Sequence, residues 1–211
     1  IGLEQQHAIE KERTRIAQDM HDQLGANLTE IGLLTELTKR TSSRPHEINS
    51  HLGKISERAR EVSQTLDEII WAVNPKNDSL PRLAAYIVHY AEELCEIALI
   101  QCRWHVSKNL PDIPLSAEVR HNIFLAVREA LNNIVRHSAA SEARLQLSAE
   151  NSTLEIVLED NGRGFSVEDL DPSGNGLDNI KKRIETLGGR IEMISSPNHG
   201  TKIGIIVKLK N

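Results

Sequence analysis

His21 and Asp22 stand side by side within Glu12 to Ile31, ERTRIAQDMHDQLGANLTEI. With an unperturbed pKa of about 6.5, a histidine is a competent nucleophile at neutral pH, and a nearby carboxylate can orient one ring nitrogen while the other attacks. Adjacent helix residues do not face one another, so Asp22 must curl around the helix to make that contact. Taken alone, His21 is one of nine histidines and reads as part of a solvated helix face. Four further stretches offer groups for a ligand. In REALNNIVRH, Glu129 and Asn133 are one helical turn apart, so a carboxylate and an amide oxygen share a face that can hold Mg2+ or its waters. Arg136 and His137 follow on the next turn, within reach of a phosphate. In EDNGRGF, Asp160 ends a strand, and Gly162 and Gly164 permit a tight turn over which a ligand can lie. In GNGLDNIKKR, Gly174 and Gly176 precede a helix N-terminus, where backbone donors and the helix dipole favour phosphate. HGT, ending on Thr201, leads into the last strand. Singly, these four are a polar helix face, a loop, a glycine turn that is neither a P-loop nor the dinucleotide fingerprint, and a hairpin turn.

The elements that must position these groups follow from periodicity. Ala17, Met20, Leu24, Leu28, Ile31 and Leu34 recur at helical spacing, giving one apolar stripe on a helix predicted from Leu3 to Arg40, about 57 Å long. His21 falls roughly 70° off that stripe, on the shoulder between core and water. Gly25, one turn later on the same side, costs about 1 kcal/mol against alanine inside a helix, which points to close approach of another group to His21. TSSRP, residues 41–45, ends the helix, and Pro45 suits the first turn of a second one. Its apolar positions, Ile48, Leu52, Ile55, Ala59, Val62, Leu66, Ile69 and Val73, form a heptad seam. Two such hairpins paired as a four-helix bundle bury both stripes, so the sequence predicts a homodimer rather than a hairpin folded back on its own chain.

Asn74-Pro75 stops the second helix, and NPKNDSLP marks a boundary between a helical hairpin, residues 1–74, and a second domain, residues 75–211. The second domain is predicted to be an α+β sandwich, with helices over one face of a mixed sheet. Helices are expected near residues 83–98, 116–137 and 177–187, and strands near 103–106, 143–148, 153–159, 190–195 and 202–209.

Composition narrows the function classes. Aromatic residues make up 3% of the chain, leaving no platforms for stacking bases, and a net charge of -5 supplies no field to hold a nucleic-acid backbone. No apolar run approaches membrane-spanning length, so no direct membrane contact is expected. Cys95 and Cys102 have no metal-like spacing, which favours a reduced, cytoplasmic chain. The chain opens inside what already reads as helix, as a piece of a longer receptor would.

ERTRIAQDMHDQLG, Glu12 to Gly25, resembles the phosphoacceptor helix of bacterial sensor histidine kinases, in the subclass that includes the nitrate sensors. The four later stretches, in their order and spacing, resemble the N, G1 and G2 boxes and closing GT of the Bergerat-type ATP-binding fold shared by histidine kinases, gyrase and MutL. The resemblance implies that His21 is phosphorylated by ATP, with Asp22 as neighbouring base. It implies that Asn133 binds Mg2+, supported by Glu129 and Asn132, and that Arg136 and His137 line the phosphate side. Asp160 would accept from the adenine amino group, and Gly162 and Gly164 would let the loop approach the base. Gly174, Gly176 and Leu177 would lie beside the nucleotide, and Thr201 would help to hold Asp160 or a bridging water. The implied partner is a response-regulator receiver domain, whose aspartate takes the phosphoryl group. A Bergerat-type ATPase or a catalytically silent dimeric scaffold are the rival readings; the His21-Asp22 pair counts against the first, and intact Glu129, Asn133 and Asp160 count against the second. One position departs from the subclass. Many members carry Gln five residues after the histidine, where its amide is thought to place the water that dephosphorylates the receiver, and here that position is Ala26.

Overall fold

The computed structural model describes residue 14 and residues 24–40, 45–166 and 175–209. The chain divides into two compact units, residues 1–76 and 77–211.

In the first unit, residues 24–40 are helical (α1), and α2 runs over Pro45–Val73. Pro45 occupies the start of α2, where a missing N–H costs nothing. A cross-helix ion pair joins the two: Arg58 Nε lies 2.9 Å from Glu30 Oε2, while Nη1 of the same guanidinium lies 2.7 Å from Glu61 Oε2. Thr29, Thr35 and Thr38 each turn their hydroxyl back to the carbonyl four residues earlier, so polar side chains on α1 are satisfied within the helix. Leu34 is buried, yet Leu28, Leu33, Leu37, Leu52, Leu66 and Ile70 are 40–63% exposed. Leu52 and Leu66 belong to the seam read from the sequence, so the hairpin by itself leaves much of its apolar surface open. At Gly25 a methyl group would meet, beyond its own helix backbone, no atom of the described residues within 4 Å, so packing among them does not demand glycine there. No described helix is long and apolar enough to cross a membrane.

The second unit begins with a 3-10 turn, Pro75–Asn77 crossing the boundary, and continues through α3 (Leu80–Ile97), β1 (Gln101–Val106), α4 (Ala117–Asn133), a π-helical turn (Ile134–Ser138), β2 (Glu142–Glu150), β3 (Thr153–Asp160), α5 (Asn175–Thr186), β4 (Arg190–Ser195) and β5 (Thr201–Lys208). The five strands form one sheet in the order β1-β2-β3-β5-β4; β1 pairs parallel with β2 and the other pairs are antiparallel. Alternation decides its faces. Leu145 and Leu147, Leu154, Ile156 and Leu158, and Ile203, Ile205 and Val207 are buried, as are Ile87, Phe124, Ala130 and Ile184 on the helices. This is the mixed sheet with helices on one face that the periodicity predicts.

The elements expected in the second unit are all present with shifted ends, while most of the predicted helix before residue 24 lies outside the described residues. α3 starts at Leu80, since Pro81 in its first turn is compatible with a helix start. The helix expected to run to His137 is α-helical only to Asn133 and then widens into the π turn. Ser116 caps α4, its Oγ accepting from Val119 N at 3.3 Å.

Candidate functional site

A cavity of about 760 Å³ opens between α4, the π turn, the loop after β3 and the start of α5. Its wall begins on the last turn of α4, where Glu129, Asn132 and Asn133 are half-buried and line it. The π turn that follows shifts the helical register and sets Arg136 and His137, both exposed, on the same rim. Ser138 fixes that turn: its Oγ donates to the Ile134 carbonyl at 2.6 Å and accepts from Ala140 N at 3.0 Å. Its carbonyl accepts from Arg163 N at 2.7 Å, which ties the turn to the loop after β3.

β3 delivers Asp160 to the cavity floor, 5% exposed. Its Oδ1 accepts from Gly162 N at 2.8 Å, and the Thr201 backbone N–H, opposite in register on β5, donates to the same carboxylate. Burial pushes the Asp160 carboxyl above the ordinary carboxylate range; the two backbone donors oppose that shift, and the charge of Glu159 adds to it. Both donors come from the loop and strand side, which leaves the remaining acceptor capacity for a ligand.

The glycines are crowded by these same groups. A methyl on Gly162 would run into the Ser138 carbonyl and lie 2.8 Å from Asp160 Oδ1. Gly162 is buried beneath the site and not on its lining, whereas Gly164 lines the cavity with its back against the carbonyls of Ser196 and Gly200. At Gly176, in the first turn of α5, a methyl would lie 2.7 Å from Glu129 Oε1 and 3.5–3.6 Å from the side-chain amide of Asn133. Glu129 and Asn133 therefore converge on one spot against the N-terminal turn of α5, and Leu177 lies next to it on the cavity wall.

The structure thus brings Glu129, Asn132, Asn133, Arg136, His137, Asp160, Gly164, Gly176, Leu177 and Thr201 to one cavity. His21, Asp22 and Gly174 lie outside the described residues. Several contributors escaped the sequence reading. Arg163 and Phe165 line the cavity between and beyond the two glycines of EDNGRGF, and Leu158 and Ile203 form its apolar floor. Their signal was present in the strand alternation that turns both toward the helices. Ser195 had no signal: its Oγ accepts from Phe165 N at 3.0 Å and lies 3.1 Å from the Gly200 carbonyl and 3.0 Å from Thr201 Oγ1. The Thr201 hydroxyl is engaged there, while its backbone holds Asp160.

Comparison with known proteins agrees with this geometry. Residues 12–78 match the family model described as histidine kinase, and residues 118–211 match the one described as histidine kinase-, DNA gyrase B- and HSP90-like ATPase. The first match contains His21 and Asp22, and the second contains every lining residue named above. The chain belongs to the histidine kinases. It is 30% identical over 204 residues to the sensor histidine kinase LnrJ of Bacillus subtilis, covering 95% of the chain and 48% of that protein. To the sensor histidine kinase LiaS of the same organism it is 27% identical over 202 residues, covering 95% of the chain and 55% of LiaS. It therefore spans about half the length of the curated relatives it matches. The fold is similar to the histidine kinase domain of the blue-light activated histidine kinase of Erythrobacter litoralis EL346, with a TM-score of 0.58 at 20% identity over 86% of this chain and 96% of that one.

Proposed function

We propose that the chain catalyses ATP-dependent phosphorylation of His21 and transfer of that phosphoryl group to an aspartate of a response-regulator receiver domain. The observation that carries this reading is the convergence of Glu129, Asn133 and the first turn of α5 in the cavity that holds buried Asp160, in a chain whose histidine kinase match at residues 12–78 contains His21. Asp160, able only to accept when ionised, would read the adenine amino group. Arg136, His137 and the α5 N-terminus would face the phosphates. Glu129 and Asn133 supply two hard oxygens at one point, and among the described residues no group of three His, Cys, Asp or Glu could hold a metal. That donor set fits Mg2+, which takes most of its ligands from phosphate and water and would neutralise charge on the transferring group. A neutral ring nitrogen of His21 would attack the γ-phosphorus as the bond to the bridging oxygen breaks and ADP leaves. Positioning and charge neutralisation supply most of the rate in such a transfer.

The exposed leucines of the hairpin support a homodimer, since a second copy would cover them. ATP as donor and a receiver as acceptor place the reaction in the cytoplasm. Incubation with γ-labelled ATP, followed by acid and base treatment, tests the reading. Acid-labile, base-stable label on the protein is expected; release of free phosphate alone would make the chain an ATPase, and neither product would make it a scaffold.

A further inference from the structure

The fold brings together two cysteines that the proposed phosphoryl transfer does not use. Cys95, 1% exposed, sits in the last turn of α3. The Ile100 N–H closes on the Cys95 carbonyl at 2.9 Å and Leu99 takes a left-handed conformation, φ 56°, so the chain reverses directly into β1, where Cys102 is the second residue. The two thiols hydrogen-bond to each other, and both are free. Neither lines the nucleotide cavity. Beside them Trp104 Nε1 donates to Glu92 Oε1 at 2.6 Å, a second link between α3 and β1.

We propose that Cys95 and Cys102 form a reversible dithiol–disulfide site, oxidised by hydroperoxides or by small disulfides such as oxidised glutathione. Cys102 is the attacking sulfur. It is the more accessible of the two, and the hydrogen bond from Cys95 lowers its thiol below the ordinary range, against burial and the charge of Glu92. Cys95 is pushed well up by that same bond and by burial, so it waits as the resolving thiol. With a hydroperoxide, the Cys102 thiolate attacks the terminal oxygen, the O–O bond breaks and the alkoxide leaves to take up a proton. Cys95 sulfur then attacks the Cys102 sulfenic acid; the S–S bond forms, the S–O bond breaks, and the thiol proton leaves with hydroxide as water. With a disulfide, Cys102 forms a mixed disulfide and Cys95 expels the second thiol. In either route the pair loses two electrons and two protons. The product staples α3 to β1, an edge strand whose only ladder among the described residues is to β2.

The test treats the folded, full chain with oxidised glutathione or hydrogen peroxide, alkylates remaining thiols and reads intact mass and peptides. The expected result is a loss of about 2 Da with a Cys95–Cys102 cross-linked peptide, reversed by dithiothreitol. Cys95→Ala, checked by its melting curve, should instead retain glutathione on Cys102, because nothing resolves the mixed disulfide. Cys102→Ala should leave Cys95 unmodified. A wild-type chain that keeps a glutathione adduct on Cys102, links to a second chain through Cys102, or leaves both thiols open to alkylation would overturn the proposal.

Discussion

Replacing Asp160 with asparagine should separate nucleotide affinity from fold stability. The carboxylate is 5% exposed and already accepts from the N–H groups of Gly162 and Thr201, so its remaining acceptor capacity faces the cavity. Asparagine keeps the shape but offers one acceptor oxygen, and with two backbone donors to satisfy, that oxygen turns inward. An N–H2 group then faces the adenine amino group, donor against donor. Loss of a hydrogen bond to a charged acceptor costs about 1.5–3 kcal/mol, or roughly 10- to 150-fold in ATP affinity. Stability should move the other way. Burial raises the folded carboxyl above its unfolded value, so the folded chain holds this proton more tightly, and the stability that the proton confers is lost as pH rises from the unfolded value through the folded one. At neutral pH the ionised carboxylate is a net cost to the fold, which asparagine removes. Calorimetric titration with ATP and Mg2+, alongside thermal melts of both proteins at acidic and neutral pH, reads both effects. The variant should melt at or above the wild type at pH 7, and that advantage should shrink as pH falls. ATP affinity within about threefold of wild type in a normally melting variant would refute the adenine contact.

Further outcomes follow from other residues. His21→Gln should abolish protein labelling from ATP while leaving nucleotide affinity nearly unchanged in the same titration; continued labelling would mean another acceptor. Asn133→Ala should remove magnesium-dependent labelling, and mixing it with His21→Gln should restore label only if phosphorylation crosses between exchanging subunits. Gly200→Ala and Gly188→Ala form a matched pair, because both glycines have left-handed φ, 73° and 70°, but a methyl at Gly200 would run into the Asp160 carbonyl while one at Gly188 meets open space. Gly188→Ala should cost about 1 kcal/mol by denaturant unfolding, and Gly200→Ala several more with loss of ATP binding; equal costs would mean that the Asp160 strand end is not held by that contact. Ala26, exposed on α1, has a methyl that can neither donate to nor accept from a water, so Ala26→Gln should speed dephosphorylation of a phosphorylated receiver without changing His21 labelling. No gain would assign water placement to Asn27 or another group.

Much of the second unit was legible because its signals are local. Leu154, Ile156 and Leu158 alternate, as do Ile203, Ile205 and Val207, and alternation alone says that each strand buries one face. The site residues were legible for a related reason: each stretch carries its own turn or helix end, so Asp160 and Gly176 could be placed on a strand end and a helix start before any contact was known. The π turn left no such mark, since IVRHS continues a helical pattern and the wider turn shows only in the folded backbone. What remained unreadable depends on two distant segments at once. Cys95 and Cys102 are separated by a chain reversal, and Ser195 meets Thr201 only through strand pairing.

Arg120 shows how far this extends. Arginines are rarely fully buried, yet this side chain is, with Nη2 2.7 Å from Asp78 Oδ1. A buried guanidinium is tolerable only when paired, so the pairing residue cannot drift. The segment carrying Asp78 is held further by Leu80 N to the Ile113 carbonyl at 3.0 Å and Leu115 N to the Asp78 carbonyl at 3.2 Å. The stretch that opens the second unit is thereby fastened to the first turn of α4, the helix whose last turn carries Glu129 and Asn133. Residues 77–80 are thus tied to one end of a helix whose other end forms the wall of the cavity that holds Asp160.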